Sequence, residues 1–138
     1  MKPILFTNVH LIDPQSGLDQ PGKLLVKNDK IAGIDLPETE GQPSDCDVID
    51  GKGAILCPGL VDMRVTVGEP GFEYRETIAT AAEAASAGGI TTMAILPNSN
   101  PAIDNPALVT LLKAKGEITK SVSILPYGAL TVGCEGKE

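Results

Sequence analysis

The residues of this chain best placed to do chemistry lie in the stretch LVDMRVTVGEPG, Leu60 to Gly71. Apolar Val61, Met63, Val65 and Val67 alternate with Asp62, Arg64 and Thr66, and then Gly68 follows. Alternation with a period of two predicts a strand with one apolar and one polar face, closed by a turn at Glu69-Pro70-Gly71. The chemistry open to that polar face is restricted. Arginine stays protonated and has no lone pair to give a metal. Threonine is a poor metal ligand unless stronger donors stand beside it.

These side chains need a framework, and the rhythm of the following residues supplies one. In EYRETIATAAEAASA, residues 73–87, Ile78, Ala81, Ala82 and Ala85 fall on one helical face. Glu73 and Glu76 stand near the predicted helix start, where the macrodipole favours them, and Gly88-Gly89 ends the helix. ITTMAILP reads as a second strand. Asn105-Pro106 is a good cap-plus-first-residue pair for a helix with Leu108, Leu111 and Leu112 on one side, closing near Gly116. SVSILPYGAL reads as a third strand. The order β-α-β-α-β implies parallel strands with helical crossovers. In such sheets functional groups gather at the C-terminal ends of strands. Here those ends are Thr66–Gly71, Leu96–Pro101, which contains Asn98, and Tyr127–Thr131.

The preceding zone has a different texture. ILFTNVHLID, KLLVKNDKIAGID and CDVIDGKGAILCPG are short strand-like runs broken by turn signals, with a hairpin expected at Asn28-Asp29-Lys30 and a polar loop over residues 37–45. It reads as a small antiparallel sheet. Three parallel strands and two helices bury only part of their apolar surface, and the last predicted strand has no helix after it. The chain therefore reads either as the N-terminal piece of something larger, a truncated product included, or as a short chain whose core a partner completes.

The segment from Leu56 to Asn105 resembles the opening of a dihydroorotase, within the amidohydrolase superfamily. The family pattern is P-G-hydrophobic-hydrophobic-D-x-H-x-H-x-R-E-P-G, then E-T at a helix start, A-A-x-x-G-G-x-T-T, and a P-N-T-x-P turn. Matching residues are Pro58, Gly59, Asp62, Glu69, Pro70, Gly71, Glu76, Thr77, Gly88, Gly89, Thr91, Thr92, Pro97, Asn98 and Pro101. YGALTVGCEGKE and NVHLIDPQSG also resemble family segments, so the likeness covers nearly the whole chain. It implies an α/β fold: the first three strands of a (β/α)8 barrel over residues 58–138, incomplete, and the N-terminal half of a small β-sandwich over 1–57.

The departures from the pattern bear on function. By the resemblance, the two family histidines on the first strand are zinc ligands, and their positions hold Arg64 and Thr66. The family arginine that holds the substrate carboxylate falls at Gly68. Asn98 stands where the family contacts substrate, as a remnant of that role or as a brace for the PNSNP turn. No catalytic residue, no metal ligand and no bound cofactor is expected from this chain, zinc being the cofactor of active family members. Arg64 is expected to place its guanidinium where the metal would sit, offsetting carboxylates such as Asp62. The resemblance then implies a dihydroorotase-like protein of pyrimidine biosynthesis that has lost catalysis and serves as a partner of aspartate transcarbamoylase. The alternative is an active metal-dependent cyclic amidohydrolase with a rearranged site.

Composition narrows the classes. A net charge of −7 and no basic stripe argue against nucleic acid as a partner. No stretch approaches the roughly 18 apolar residues a membrane span requires, and the N-terminus lacks signal-peptide features. Cys46, Cys57 and Cys134 are odd in number and contain no C-x-x-C pair, which fits three reduced thiols in a cytoplasmic protein. The single histidine, His10, is expected to be a structural or surface residue of the first zone.

Overall fold

A computed structural model describes residues 2–35 and 45–137, so most of the polar loop expected at 37–45 lies outside the described residues. The chain folds as two compact units, Met1–Pro58 and Gly59–Glu138.

The first unit is a five-stranded sheet of β1 (Ile4–Asp13), β2 (Leu18–Lys27), β3 (Lys30–Ile34), β4 (Asp47–Asp50) and β5 (Ile55–Leu56). Its order is β3-β2-β1-β4, with β5 also pairing with β1. The hairpin expected at Asn28-Asp29 is present, and both residues take the left-handed conformation, at φ 52° and 58°. A two-residue turn of that kind matches the twist of the flanking strands. The β1–β2 turn is held by Asp13, whose carboxylate accepts from the Gln15 amide (3.1 Å) and the Ser16 hydroxyl (2.6 Å). The expectation of a purely antiparallel sheet fails at β4 and β5, which both pair with β1 in parallel. Only short hairpins force antiparallel neighbours, and the long connection after β3 lets the chain return in the same direction. Leu5, Val9, Leu11 and Leu25 form the buried centre.

The second unit runs β6 (Leu60–Val65), α1 (Ile78–Ala87), β7 (Ile90–Ile95), α2 (Pro106–Thr119), β8 (Ser123–Pro126) and a single 3-10 turn at Val132–Cys134. The strands pair in the order β6-β7-β8, all parallel, as the rhythm predicts. Ile78, Ala81, Ala82 and Ala85, the predicted face of α1, are all buried. They join Val67, Met93, Ile95, Ile103, Leu112, Val122 and Ile124 in one core.

Helix limits differ from expectation for local reasons. Helix α1 begins five residues later than predicted because Thr77 and Thr80 form a reciprocal cap there. Glu73 and Glu76 therefore belong to the preceding turn. The Gly88 amide donates to Ala84 and Ala85, and Gly89, at φ 78°, turns the chain into β7. The Asn105 cap is as expected, accepting from the Leu108 amide at 3.1 Å. Helix α2 continues past Gly116 to Thr119, so Gly116 is not a stop signal. A Cβ there would lie 2.6 Å from Ile124 Cγ1, so glycine lets α2 seat directly on β8. Leu112 is fully buried and Leu108 packs at the core edge, but Leu111 is largely exposed.

Strand β6 does not keep its predicted alternation. Asp62 faces Met93 and Val65 faces Ile95, three residues against two, so a bulge lies between them. The Asp62 carboxylate accepts the Arg64 amide at 3.0 Å, inside that irregularity. Val61 and Met63 are exposed, Val65 is half-buried and Val67 is buried.

Candidate functional site

The C-terminal ends of β6, β7 and β8 each run into a loop, and the three loops are joined through the main chain. The Asn100 amide donates to the Pro70 carbonyl at 3.0 Å, the Ile103 amide to Pro97 at 3.1 Å and the Ala129 amide to Ile103 at 2.7 Å. Asp104 adds a side-chain tie by accepting the Gly133 amide at 2.9 Å. Gly71, at φ 96°, is required here, because a Cβ would overlap the Asn100 carbonyl oxygen.

Glu69 secures this rim from beneath. It is 8% exposed, the one buried charged side chain among the described residues. Its Oε2 accepts the Ile78 amide at 2.9 Å, in the first turn of α1, where unpaired N–H groups and the helix dipole both favour a carboxylate. Its Oε1 pairs with Lys115 Nζ from α2. One side chain thus fixes the β6 loop to both helices. Sequence reasoning treated Glu69 only as part of a turn.

Between the β6 and β7 loops lies a pocket of about 250 Å³ whose lining includes Thr66, Gly68, Phe72, Arg75, Glu76 and Asn98. Three of the four positions singled out from the sequence, Thr66, Gly68 and Asn98, are brought together here. Arg64 is not among the lining residues; it is exposed, and among the described residues only its main-chain amide bonds to Asp62. Its guanidinium makes no ion pair with the Asp62 carboxylate among the described residues.

Gly68 is more than a missing side chain. A Cβ at this position would lie 2.2 Å from the Phe72 carbonyl oxygen and 2.8 Å from that of Glu76. The turn over residues 68–72, closed by the Phe72 amide on the Gly68 carbonyl at 2.6 Å, fills the space a side chain would need. Arg75, which sequence reasoning passed over, is the pocket's cation. Its guanidinium lies 5.0 Å from the Phe72 ring centre and 5.4 Å from that of Tyr74, and its Nε donates to the Tyr74 hydroxyl at 3.0 Å. The signal for it was the run FEYR directly after Glu-Pro-Gly.

Two rim carboxylates have lowered pKa values. The Gly133 amide, then the Asn105 side chain, hold Asp104 below its usual 3.8. The Gly71 amide does the same to Glu73, below its usual 4.5. Folded values below unfolded ones mean that these ties act in full above the unfolded pKa and are lost as pH falls through the lower folded value. Acid titration followed by amide NMR should therefore move the Gly71 and Gly133 signals together with their carboxylates, below pH 4.5 and 3.8 respectively.

A zinc site needs three or four converging nitrogen, sulfur or oxygen donors. No three of His, Cys, Asp and Glu come together among the described residues. The only histidine, His10, lies in the first unit and bonds Asp19 across β1 and β2 at 2.6 Å. The described residues do not by themselves assemble a zinc centre.

Parallel strands with helical crossovers and loops gathered at the strand C-termini make this unit α/β, and its likeness to solved structures places it as part of an amidohydrolase-type (β/α)8 barrel. The chain resembles an L-hydantoinase from Arthrobacter aurescens with a TM-score of 0.78 and 26% identity, over 93% of this chain and 28% of that one. A D-hydantoinase from Thermus sp. matches with a TM-score of 0.62, also at 26% identity, over 82% of this chain and 24% of the other. Residues 53–138 match the family model described as dihydro-orotase-like, and the chain belongs to that family. It is 40% identical to a dihydroorotase from Pelobacter propionicus over 97% of its own length, and 38% identical to one from Aquifex aeolicus over its whole length. It spans about a third of the length of these relatives, 31% and 32% respectively. Among the described residues no helix is long and apolar enough to cross a membrane.

Proposed function

We propose that this chain is part of a dihydroorotase-like protein of pyrimidine biosynthesis that keeps the family scaffold without its metal-dependent hydrolysis. The observation that carries this reading is the occupancy of the first strand. Arg64 and Thr66 stand at the positions the resemblance gives to the zinc-binding histidines, and neither supplies a competent ligand. The filled space at Gly68 supports it, because a substrate-holding arginine has no room there on this backbone. The preserved scaffold is then free to serve assembly, as a cytoplasmic partner that stabilises aspartate transcarbamoylase. The first unit is read as the N-terminal half of a β-sandwich. Exposed Leu60, Val61 and Met63 on β6 and Leu125 on β8 suit further barrel strands that complete the core.

A second reading, an active cyclic amidohydrolase with a rearranged site, is favoured by the intact loop motifs around Glu69-Pro70-Gly71 and Pro97-Asn98 and by the dihydroorotase relatives. The two readings separate in one experiment on the complete purified protein. The first expects no stoichiometric zinc, no hydrolysis of dihydroorotate, and a higher melting temperature and retained activity of aspartate transcarbamoylase in its presence. Bound zinc together with turnover would establish the second reading instead. An aspartate transcarbamoylase indifferent to the protein would remove the partner role.

A further inference from the structure

We infer that Tyr127 is a positioning residue: reaching across the sheet from the end of β8, it clamps a peptide unit of the β6 bulge and so sets the direction in which the Arg64 side chain leaves the strand. That unit is the peptide joining Met63 to Arg64. Asp62 is paired with Met93 and Val65 with Ile95, but Met63 and Arg64 have no register partner on β7. The ladder resumes just beyond them, where the Leu96 amide donates to the Val65 carbonyl at 2.8 Å. A backbone unit that drops out of a ladder must find other partners or water. Here side chains hold it at both ends. Its N–H, that of Arg64, donates to the Asp62 carboxylate at 3.0 Å. Its C=O, that of Met63, accepts from the Tyr127 hydroxyl at 3.3 Å.

The two holding groups come from very different places. Asp62 is local and bonds two residues along its own strand, as aspartates in tight turns do. Tyr127 lies 64 residues further on, and in the order β6-β7-β8 its side chain must pass over β7. Two strand spacings are about 9–10 Å, a span that calls for a long side chain with its donor at the tip. The face it crosses is the one turned away from the helices. Ile124 is buried beneath α2 at Gly116, Leu125 is exposed, and alternation puts Tyr127 on the side of Leu125. The Tyr127 amide donates to the Ile95 carbonyl at 2.9 Å, which fixes where the side chain starts. A rigid ring with only two side-chain torsions then carries the hydroxyl to the bulge. The consequence falls on position 64. Thr66 lines the pocket between the β6 and β7 loops, while Arg64, two residues earlier on the same strand, does not. With the preceding peptide clamped, residue 64 is held out of line with Thr66.

The clamp holds with or without turnover, and its test is NMR on the complete protein labelled at methionine and arginine. Tyr127→Phe keeps the ring and removes only the hydroxyl. In that variant the Met63 carbonyl 13C shift should move toward its unbonded value. The residual dipolar coupling of the Arg64 N–H, which reports the tilt of the peptide plane, should change. Exchange of the Arg64 amide should quicken about 3- to 10-fold, the effect of losing one neutral hydrogen bond. The Phe72 amide, bonded to Gly68 in the neighbouring turn, should exchange as in the parent, which also verifies that the variant is folded. Arg64→Ala should leave the Met63 carbonyl signal in place, because the clamp acts on main chain. Asp62→Ala combined with Tyr127→Phe should quicken Arg64 exchange by less than the product of the separate factors, since both side chains hold one unit. A full product would mean two independent ties. An Arg64 dipolar coupling unchanged in Tyr127→Phe would mean that the hydroxyl does not orient the peptide. Either result overturns the assignment.

Discussion

Glu69→Ala should be among the most destabilising single substitutions in the second unit, by about 2–4 kcal/mol. Most of this comes from leaving the Ile78 amide unpaired at the first turn of α1, roughly 1–3 kcal/mol. Loss of a negative charge at the helix N-terminus adds about 0.3–1 kcal/mol. The Lys115 pair contributes less, about 0–1 kcal/mol, because the lysine side chain is 42% exposed and keeps its water. Three variants separate these contributions. Glu69→Gln retains an acceptor and should cost about half as much. Lys115→Met should cost no more than about 1 kcal/mol. Hydrogen exchange gives the local readout: in Glu69→Ala the Ile78 amide should exchange at least tenfold faster, while amides in β1 and β2 are unaffected. An Ile78 amide as protected as in the parent would show that the carboxylate does not hold the helix.

Gly68→Arg should not return a substrate-binding arginine; it should destabilise the rim. The atoms in the way are main-chain carbonyls of Phe72 and Glu76, which cannot rotate aside as a side-chain tip can. Even Gly68→Ala should cost about 1–3 kcal/mol as the turn is displaced, and the arginine more. Urea unfolding of both variants measures this, with the order parent, alanine, arginine expected in falling midpoint. Because Phe72 and Glu76 also line the pocket between the β6 and β7 loops, both variants should alter its shape as well. An arginine variant of parental stability would mean that the turn over residues 68–72 is softer than its close contacts imply.

Much of the second unit was legible because its signals are local. The Ile78-Ala81-Ala82-Ala85 face, the Asn105-Pro106 cap and the Gly88-Gly89 stop depend on neighbours within a turn or two, and each holds. What was not legible depends on residues far apart in sequence. The alternation from Val61 to Val67 looks continuous, but pairing with β7 inserts a bulge that the strand's own sequence does not announce. Gly116 looks like a helix stop until Ile124 is placed beneath it. The parallel placement of β4 and β5 depends on a long-range return to β1.

The site divides the same way. Thr66, Gly68 and Asn98 were found by type and position and do converge. Arg64 was expected to place its guanidinium where the metal would sit; its backbone lies in the bulge and it is not among the pocket's lining residues. Arg75 escaped notice because its importance comes from the 68–76 turn folding back over Gly68 and from two aromatic rings that meet the guanidinium only in three dimensions.

The main-chain ties among the three strand-end loops bear on how such a protein changes over generations. Pro70 to Asn100, Pro97 to Ile103 and Ile103 to Ala129 are bonds that most side-chain replacements leave untouched. The path of the rim is thereby inherited separately from the reactive groups mounted on it. A lineage can exchange those groups one at a time, passing through forms with no activity, and still present a shaped recess on which selection can act again.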